Sequence, residues 1–259
     1  MSSRGSAELA VGGWDLPPTT SVSAKMIPMQ APGLEILLDD DCLLAINKPS
    51  GLPTQAPRQY DSVERRIRAW FAELHGEGAY LGLPHRLDRP ATGVLLLAKT
   101  PRAARLISRQ FERRQIEKTY WALVSGGVDP PQSIWRDYVR KLPSVPKVEI
   151  VPADTPGALE AVLQYQVMGQ TAHGSWLEIQ LHTGRTHQIR IQAASRGHPV
   201  HGDQHYGSTV PFGLPLTDQR EGAIALHARS VTLRHPTTHK LCTVTAALNE
   251  RWRDSSALQ

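Results

Sequence analysis

The residues best suited to chemistry lie in a polar stretch that leads into an apolar run, residues 84–100 (PHRLDRPATGVLLLAKT). One carboxylate, Asp88, lies there among His85, Arg86 and Arg89. A polar cluster on a loop that feeds a buried strand is a common way for a fold to present a reactive group. The alternative is a surface turn in which Asp88 pairs with a neighbouring arginine and has only a structural role.

Basic charge is concentrated around the same stretch. The formal net charge is +5, and residues 85–120 carry nine Lys or Arg against three Asp or Glu. That segment therefore has a net charge of +6, and the rest of the chain has a net charge of −1. Such a concentration favours a polyanionic partner, of which nucleic acid is the commonest, although a solvated basic face is the simpler alternative.

Composition indicates a folded protein of a reducing compartment. The 259 residues are 40% hydrophobic and 20% charged, which are values typical of globular chains. Cys42 and Cys242 form no CxxC pair, which argues against a cysteine zinc site and against disulfides. No signal peptide and no apolar run of about 20 residues is visible, so we expect a cytoplasmic protein without a membrane segment.

Several short elements must position the polar stretch. Apolar runs at 34–38 and 42–47 predict two strands with an acidic turn between them, and residues 61–74 predict a helix capped by Asp61. The apolar run at 94–98 predicts a buried strand, with Gly93 turning the chain before it.

A second helix is expected directly after that strand. Thr100 is a suitable N-cap and Pro101 suits the first helical position. Four residues separated by three, four and four positions then share one face; we call them the arginine ridge: Arg102, Arg105, Arg109 and Arg113. Because apolar residues occupy the opposite face, the ridge should point outward, either toward a polyanionic partner or toward solvent.

The remaining chain predicts mainly strands. Residues 126–158 are rich in proline and predict a long irregular excursion, which is functional, mobile or hides short strands. The other predicted elements are strands at 159–167, 176–181, 224–233 and 241–248 and a helix at 187–195. This order indicates an α+β fold. The predicted organisation is a flexible N-terminal tail at 1–33, one catalytic domain at 34–250 and a C-terminal tail at 251–259.

Several ordered motifs give the chain a specific resemblance. They are INKPSG at 46–51, HRLD at 85–88, KTY at 118–120, TGRTHQIR at 183–190, GHPVHGDQHYG at 197–207 and LHA at 226–228. In this order and spacing, over roughly residues 34–247, the set resembles the RluA-like pseudouridine synthases. The resemblance implies their fold: a mixed, mostly antiparallel sheet with flanking helices and a central basic cleft.

The resemblance also implies a reaction and its catalytic residues. Uridine's C1′–N1 bond would be broken, the uracil turned and the ring rejoined through C5. Asp88 matches the family's catalytic aspartate, acting either as a nucleophile or as a base. Arg185 matches the position that pairs with this carboxylate. Tyr120 matches the tyrosine that stacks on the flipped base and takes part in proton transfer at C5.

Further residues are expected to bind substrate. Arg86 resembles the arginine that fills the space left by the extruded nucleotide, and Leu226 resembles the apolar residue on the other face of the uracil. Arg190 and Gln188 would hold either RNA phosphate or their own helix. The implied partner is ribosomal or transfer RNA, bound by a monomer without a cofactor. The alternative function is a non-catalytic RNA-binding protein that retains the fold.

A histidine-rich loop offers a different interpretation, a metal site. His198, His201, Asp203 and His205 lie within eight residues and are suitable zinc ligands. Because the loop is rich in turns and the resemblance covers it without a metal, no metal site is predicted here.

Overall fold

The computed structural model describes residues 33–143, 145–213 and 222–254, with side chains omitted for residues 253 and 254. Apart from residue 33, the predicted N-terminal tail lies outside the described residues, as do residues 255–259. None of the helices in the described ranges is both long enough and apolar enough to cross a membrane.

One large sheet organises the described chain. Its order is β1-β2-β3-β9-β4-β8-β7-β5-β6, and β10 also pairs with β9. All pairs are antiparallel except β3 with β9, which is parallel. The strands are β1 Glu35–Asp39, β2 Leu43–Lys48, β3 Thr92–Ala98, β4 Glu117–Ser125, β5 Gln132–Lys141, β6 Val148–Val151, β7 Leu159–Thr171, β8 Gly174–Leu181, β9 Leu226–Arg234 and β10 Leu241–Thr245.

Short helices flank this sheet, which confirms the predicted α+β class and its mostly antiparallel sheet. They are α1 Val63–His75, α2 Pro101–Glu112, α3 Gln188–Ala194 and α4 Glu250–Asp254, with a 3₁₀ turn at Gln204–Tyr206. Buried side chains form two clusters. Ile67 of α1 packs in one with Leu95 and Leu97, whereas Ile107 of α2 packs in the other with Leu96. Strand β3 is buried throughout because its alternate side chains serve both clusters.

The helix starts show one correct and one wrong capping prediction. Thr100 caps α2, since its hydroxyl accepts a hydrogen bond from the Ala103 N–H, and Pro101 follows it as expected. The cap of α1 is Ser62 rather than Asp61. Asp61 lies one residue too early, and its carboxylate binds Arg66 instead.

The proline-rich excursion at 126–158 contains two strands, β5 and β6, so the irregular interpretation is wrong and the alternative of hidden strands is right. Its prolines flank β5 and β6 and do not interrupt them. Trp135 and Val139, four positions apart on β5, are buried while their neighbours are more exposed, as an edge region of a sheet allows.

The packed domain continues past residue 250, where the sequence predicted the C-terminal tail to begin. Helix α4 carries Trp252, which is fully buried against Phe212 and His227. The short helix escaped prediction because five residues give no measurable period.

Gly93 does not turn the chain but allows two strands to meet. It lies inside β3 with φ of +113°, and a Cβ there would come within 2.3 Å of the Ala228 carbonyl oxygen. Only glycine tolerates this approach. The parallel contact places the loop before β3 beside the start of β9.

Candidate active site

A cleft of about 660 Å³ opens where the predicted motifs converge. Its walls come from the loop before β3, the segment after α2, the start of β4, the loop between β8 and α3, and the first residue of β9. All five sequence-predicted site residues line it: Arg86, Asp88, Tyr120, Arg185 and Leu226. The volume is adequate for one nucleotide, and the predicted basic cleft is therefore present as a shaped cavity.

The loop that carries Asp88 is fastened to the segment after β2. The fully buried Lys48 donates hydrogen bonds from Nζ to the carbonyl oxygens of Pro49, Leu52 and Arg89, at 2.7, 2.9 and 3.2 Å. Burial lowers the pKa of Lys48 to about 7, although the charge of Asp88 acts in the opposite direction. Three carbonyl acceptors match the three hydrogens of an ammonium group.

A second set of bonds completes this attachment. Thr54 Oγ1 donates to the Leu87 carbonyl oxygen at 2.9 Å and accepts from the Leu87 N–H at 3.1 Å. The Gly51 N–H donates to the Arg89 carbonyl oxygen at 2.9 Å, and Arg89 Nε donates back to Gly51 at 3.0 Å. The residues on both sides of Asp88 are thus held, which fixes where its carboxylate lies.

Arg190 is the cationic partner of Asp88. Its Nη1 lies 3.2 Å from Asp88 Oδ2, while its Nε and Nη2 bind the two oxygens of Asp203 at 2.6 and 2.9 Å. The Arg190 side chain is 6% exposed and that of Asp203 is 1% exposed. The bidentate bond to Asp203 orients the guanidinium, so one N–H remains directed at the 28%-exposed Asp88.

The predicted pairing of Arg185 with Asp88 is wrong. Arg185 lines the cleft, but its Nε donates to the Glu160 carbonyl oxygen at 2.8 Å. The chain changes direction between the two arginines, because His187 adopts a left-handed conformation with φ of +50° before α3 begins. Arg190 therefore faces Asp88 from the helix, and Arg185 stays on the loop.

Gln188 holds its own helix, one of the two roles predicted for it. The buried Gln188 Oε1 accepts from Thr183 Oγ1 at 2.7 Å and from the Arg185 N–H at 3.0 Å. Its Nε2 donates to Gln192. These bonds tie the loop to the first turn of α3, which positions Arg190.

His187 is a neighbour of Asp88 that sequence reasoning did not single out. Its Nε2 lies 3.9 Å from Asp88 Oδ2, and its Nδ1 lies 2.9 Å from the Tyr206 hydroxyl. That hydroxyl also accepts the Val148 N–H at 3.1 Å. Burial lowers the pKa of the His187 imidazole, which favours its neutral form.

Tyr120 and Leu226 form the apolar side of the cleft. Tyr120 on β4 pairs with Ala228, and Ala122 pairs with Leu226, so the two cleft residues lie on the same face of adjacent strands. Burial and the charge of Asp88 raise the pKa of the Tyr120 phenol well above its ordinary value. The phenol therefore keeps its proton throughout the neutral range.

Cationic side chains surround the mouth. Arg86 is exposed and makes no hydrogen bond within the described residues, so it is free to meet a ligand. Burial lowers the pKa of Lys118 to about 8, with the charges of Arg114 and Arg185 adding to the effect. His85 has a structural role: its Nε2 accepts the Leu96 N–H at 2.8 Å and its ring stacks on Phe111.

In the part of the chain that the structure describes, one group has the composition of a metal site: Asp40, Cys42 and His235. His235 Nε2 lies 2.8 Å from Asp40 Oδ2 and 3.7 Å from Cys42 Sγ. His235 Nδ1 accepts backbone N–H groups from Thr237 and Thr238, which leaves a hydrogen on Nε2 to donate to Asp40. A metal would need that nitrogen unprotonated, so the arrangement fits a hydrogen-bond network better than a metal site.

Residues of the histidine-rich loop contact and orient side chains of the cleft. Asp203 binds Arg190, and His205 and Tyr206 pack edge-on against His187. His198 Nδ1 lies 2.9 Å from the Ser125 carbonyl oxygen.

Comparison with known proteins identifies the family to which the residues of this cleft belong. The family model described as RNA pseudouridylate synthase matches residues 42–195. An uncharacterized RNA pseudouridine synthase of Synechocystis is 35% identical over 83% of this chain, and YhcT of Bacillus subtilis is 33% identical over 80%. The chain spans 65% and 66% of the lengths of these two relatives.

A curated relative of similar length and a solved structure extend the comparison. The tRNA pseudouridine synthase C of Haemophilus influenzae is 30% identical, with 85% of this chain and 95% of that protein covered. The structure of human RNA pseudouridylate synthase domain containing 4 matches with a TM-score of 0.70 and 27% identity, over 85% of this chain and 91% of that one. The family match includes the Asp88 loop, β4 and the Arg190 helix. The chain belongs to the RNA pseudouridylate synthase family.

Proposed function

We propose that this protein is an RNA pseudouridine synthase that isomerises specific uridines of ribosomal or transfer RNA, with Asp88 as the catalytic carboxylate. The observation that carries the proposal is the setting of Asp88, a partly exposed carboxylate held by Arg190 in a cationic cleft that Tyr120 and Leu226 also line. Relatives named for action on tRNA, or for dual specificity, support the substrate class.

The reaction assigns a task to each cleft residue. The C1′–N1 bond breaks, the uracil turns, C5 bonds to C1′, and C5 loses one proton while N1 gains one. Asp88 serves as a nucleophile at C1′ or as a base at C2′, and the hydrogen bond from Arg190 orients the carboxylate for either role. The His187 ring, with Nε2 at 3.9 Å from the same oxygen, limits how the carboxylate can turn.

The walls hold the base while it turns. Tyr120 offers a flat face and a hydroxyl, and Leu226 offers an apolar surface. Because the Tyr120 phenol keeps its proton, it passes a proton onward from C5 by donating one as it accepts another. A uridine inside folded RNA must be extruded to reach this cleft, and the exposed Arg86 at the mouth is suited to occupy the space that it leaves. No step requires a cofactor, because the isomerisation is redox-neutral.

Tritium release from cellular RNA labelled at uridine C5 tests the proposal. Asp88→Asn and Asp88→Ala should release label at least about 10³-fold more slowly than wild type, because neither side chain can attack or remove a proton. Asp61→Asn is the matched control, since that exposed carboxylate only pairs with Arg66, and it should stay within about twofold.

Two outcomes would contradict the proposal in different ways. Wild-type rates in both Asp88 variants would refute the role of this carboxylate. If the wild-type protein binds the RNA but releases no label from any cellular RNA pool, the alternative of a non-catalytic RNA-binding protein is supported instead.

A further inference from the structure

The arginine ridge on α2 is exposed and has no partner. Arg102, Arg105, Arg109 and Arg113 are all exposed, and within the described residues their guanidinium groups make no hydrogen bond or ion pair. Arg114, the next residue, is also exposed and unpaired in the same ranges. Glu112 is the helix's acidic residue, yet it forms no ion pair with its neighbours there.

Several arginines elsewhere on the described surface are paired with carboxylates. On α1, Arg66 binds Asp61 and Arg68 binds Glu64. Beyond the cleft, the other pairs are Arg136 with Glu160, Arg140 with Glu149 and Arg196 with Asp137. Within the described residues, acidic partners are thus present on other surfaces and absent around the arginines of α2.

The ridge is unfavourable for the free protein. Like charges four residues apart, as in Arg105, Arg109 and Arg113, destabilise a helix by about 0.2–0.5 kcal/mol per pair. Arg102 adds a positive charge near the positive end of the helix, where no acidic residue compensates for it. An anion bound along this face would remove both penalties.

The ridge leads to the cleft. It extends about 16 Å along α2, at 1.5 Å per residue, from Arg102 to Arg113. At the C-terminal end of the ridge, the cleft itself is lined by Phe111, Glu112 and Arg114. A strand whose nucleotide occupies the cleft can therefore continue past Glu112 onto the arginine ridge.

We propose that the arginine ridge, with Arg114, binds the phosphodiester backbone of the RNA segment that flanks the target uridine. This proposal rests on the proposed function for the identity of its ligand and assigns the ridge a role in affinity, not in chemistry. Arginine is suited to phosphate because its planar guanidinium donates two parallel hydrogen bonds. Such contacts fix the position of the RNA and carry no sequence information.

The test compares two triple variants with the same change in charge. Arg102→Gln/Arg105→Gln/Arg109→Gln removes three ridge arginines, all distant from the reacting atoms. Arg65→Gln/Arg66→Gln/Arg68→Gln removes three arginines of α1, where the side chains bond to Arg58, Asp61 and Glu64. Glutamine is nearly as good a helix former as arginine, and thermal melts followed by circular dichroism check that both variants fold.

Binding is measured by anisotropy of a fluorescein-labelled oligouridylate of 20 nucleotides over a range of salt concentrations. The slope of log affinity against log salt should fall in magnitude by about 2 for the ridge variant, because each lost phosphate contact removes about 0.7 for a single strand. The α1 variant should keep the wild-type slope to within about 0.5. In the tritium-release assay, the ridge variant should raise KM about tenfold or more and leave kcat within about twofold.

The outcomes separate this proposal from the proposed function. If the wild-type protein releases tritium and the ridge variant keeps the wild-type slope and KM, the ridge proposal alone is overturned. An acidic protein surface would then be the partner of the ridge. Equal losses in both triple variants would also overturn it, since only net charge would then matter. If the slope is reduced only in the ridge variant but the wild-type protein releases no tritium, the ridge proposal is supported and the proposed enzymatic function is refuted.

Discussion

At the scale of single residues, the site depends on one arginine that is shared by two carboxylates. Asp203 is almost fully buried and takes two bonds from Arg190, which leaves one N–H for the more exposed Asp88. Burying a carboxylate is costly unless it is paired and hydrogen-bonded, and the two bonds from Arg190 meet that requirement for Asp203. Asp203 thus orients the guanidinium, and Asp88 keeps the solvent access that a reacting group needs.

Tyr120→Phe tests the proton transfer proposed for the phenol. The ring face remains, so RNA affinity should stay within about threefold, but label release should fall by about 10²–10⁴-fold because the hydroxyl is gone. Since burial raises the pKa of Tyr120, the protonated form persists as pH rises. The wild-type rate should therefore show no ionisation of this phenol between pH 7 and 10. A rate that rises in proportion to hydroxide concentration, and does so only with Tyr120 present, would contradict the assignment.

At the scale of elements, two loops and a short helix place the reacting groups. Lys48 and Thr54 attach the Asp88 loop to the segment after β2 by hydrogen bonds. Gln188 attaches the start of α3 to the loop that precedes it. The left-handed residue His187 lies between Arg185 and Arg190, and the change of direction there brings Arg190 rather than Arg185 to Asp88. The carboxylate and its partner are thus held by different elements that meet only in the folded chain.

Lys48→Met is expected to loosen this arrangement. Among the described residues, it leaves the Pro49 and Leu52 carbonyl oxygens without a donor and the Arg89 carbonyl oxygen with the Gly51 N–H, so the free energy of unfolding should fall by about 3–5 kcal/mol in urea denaturation. Because the Asp88 loop loses an attachment, kcat should fall even at a temperature where the variant is fully folded. Lys99→Met, which removes the Asp39 ion pair and the cation–π contact with Phe71, should cost less, about 1 kcal/mol. Equal costs for the two variants would show that the carbonyl contacts are unimportant.

At the scale of the whole molecule, the central strands bring distant segments to one cleft. Strand β9 lies between β3 and β4, so Leu226 meets both the Asp88 loop and Tyr120 although more than a hundred residues separate it from either. The approach of β9 to β3 depends on Gly93. Helix α4 supports the same strand, because Trp252 packs near His227, the residue next to Leu226.

Trp252→Ala tests whether the C-terminal helix is part of the packed domain. The substitution would leave a large cavity beside β9, so the free energy of unfolding should fall by about 3–5 kcal/mol in urea denaturation. Trp252→Phe fills part of that space and should cost clearly less. A change below about 1 kcal/mol in the alanine variant would mean that the domain ends before α4.

The sequence by itself determined much of the protein. Apolar periodicity predicted α1, α2 and the buried strand β3, since these patterns record which face of an element is buried. Ordered polar motifs identified the family and the residues that line the cleft, Asp88, Tyr120 and Leu226 among them. The exposed arginine ridge also followed from spacing alone, because a helix repeats its faces every 3.6 residues.

Only the tertiary structure decided how the polar groups are paired. Arg185 and Arg190 belong to one motif, and the choice between them depends on a left-handed turn that residue spacing does not encode. Lys48, His187 and Tyr206 lie within the quoted motifs, but their roles depend on partners in other segments, so the motifs alone did not identify those roles. Local periodicity reports burial, whereas hydrogen bonds between segments depend on how the whole sheet brings those segments together.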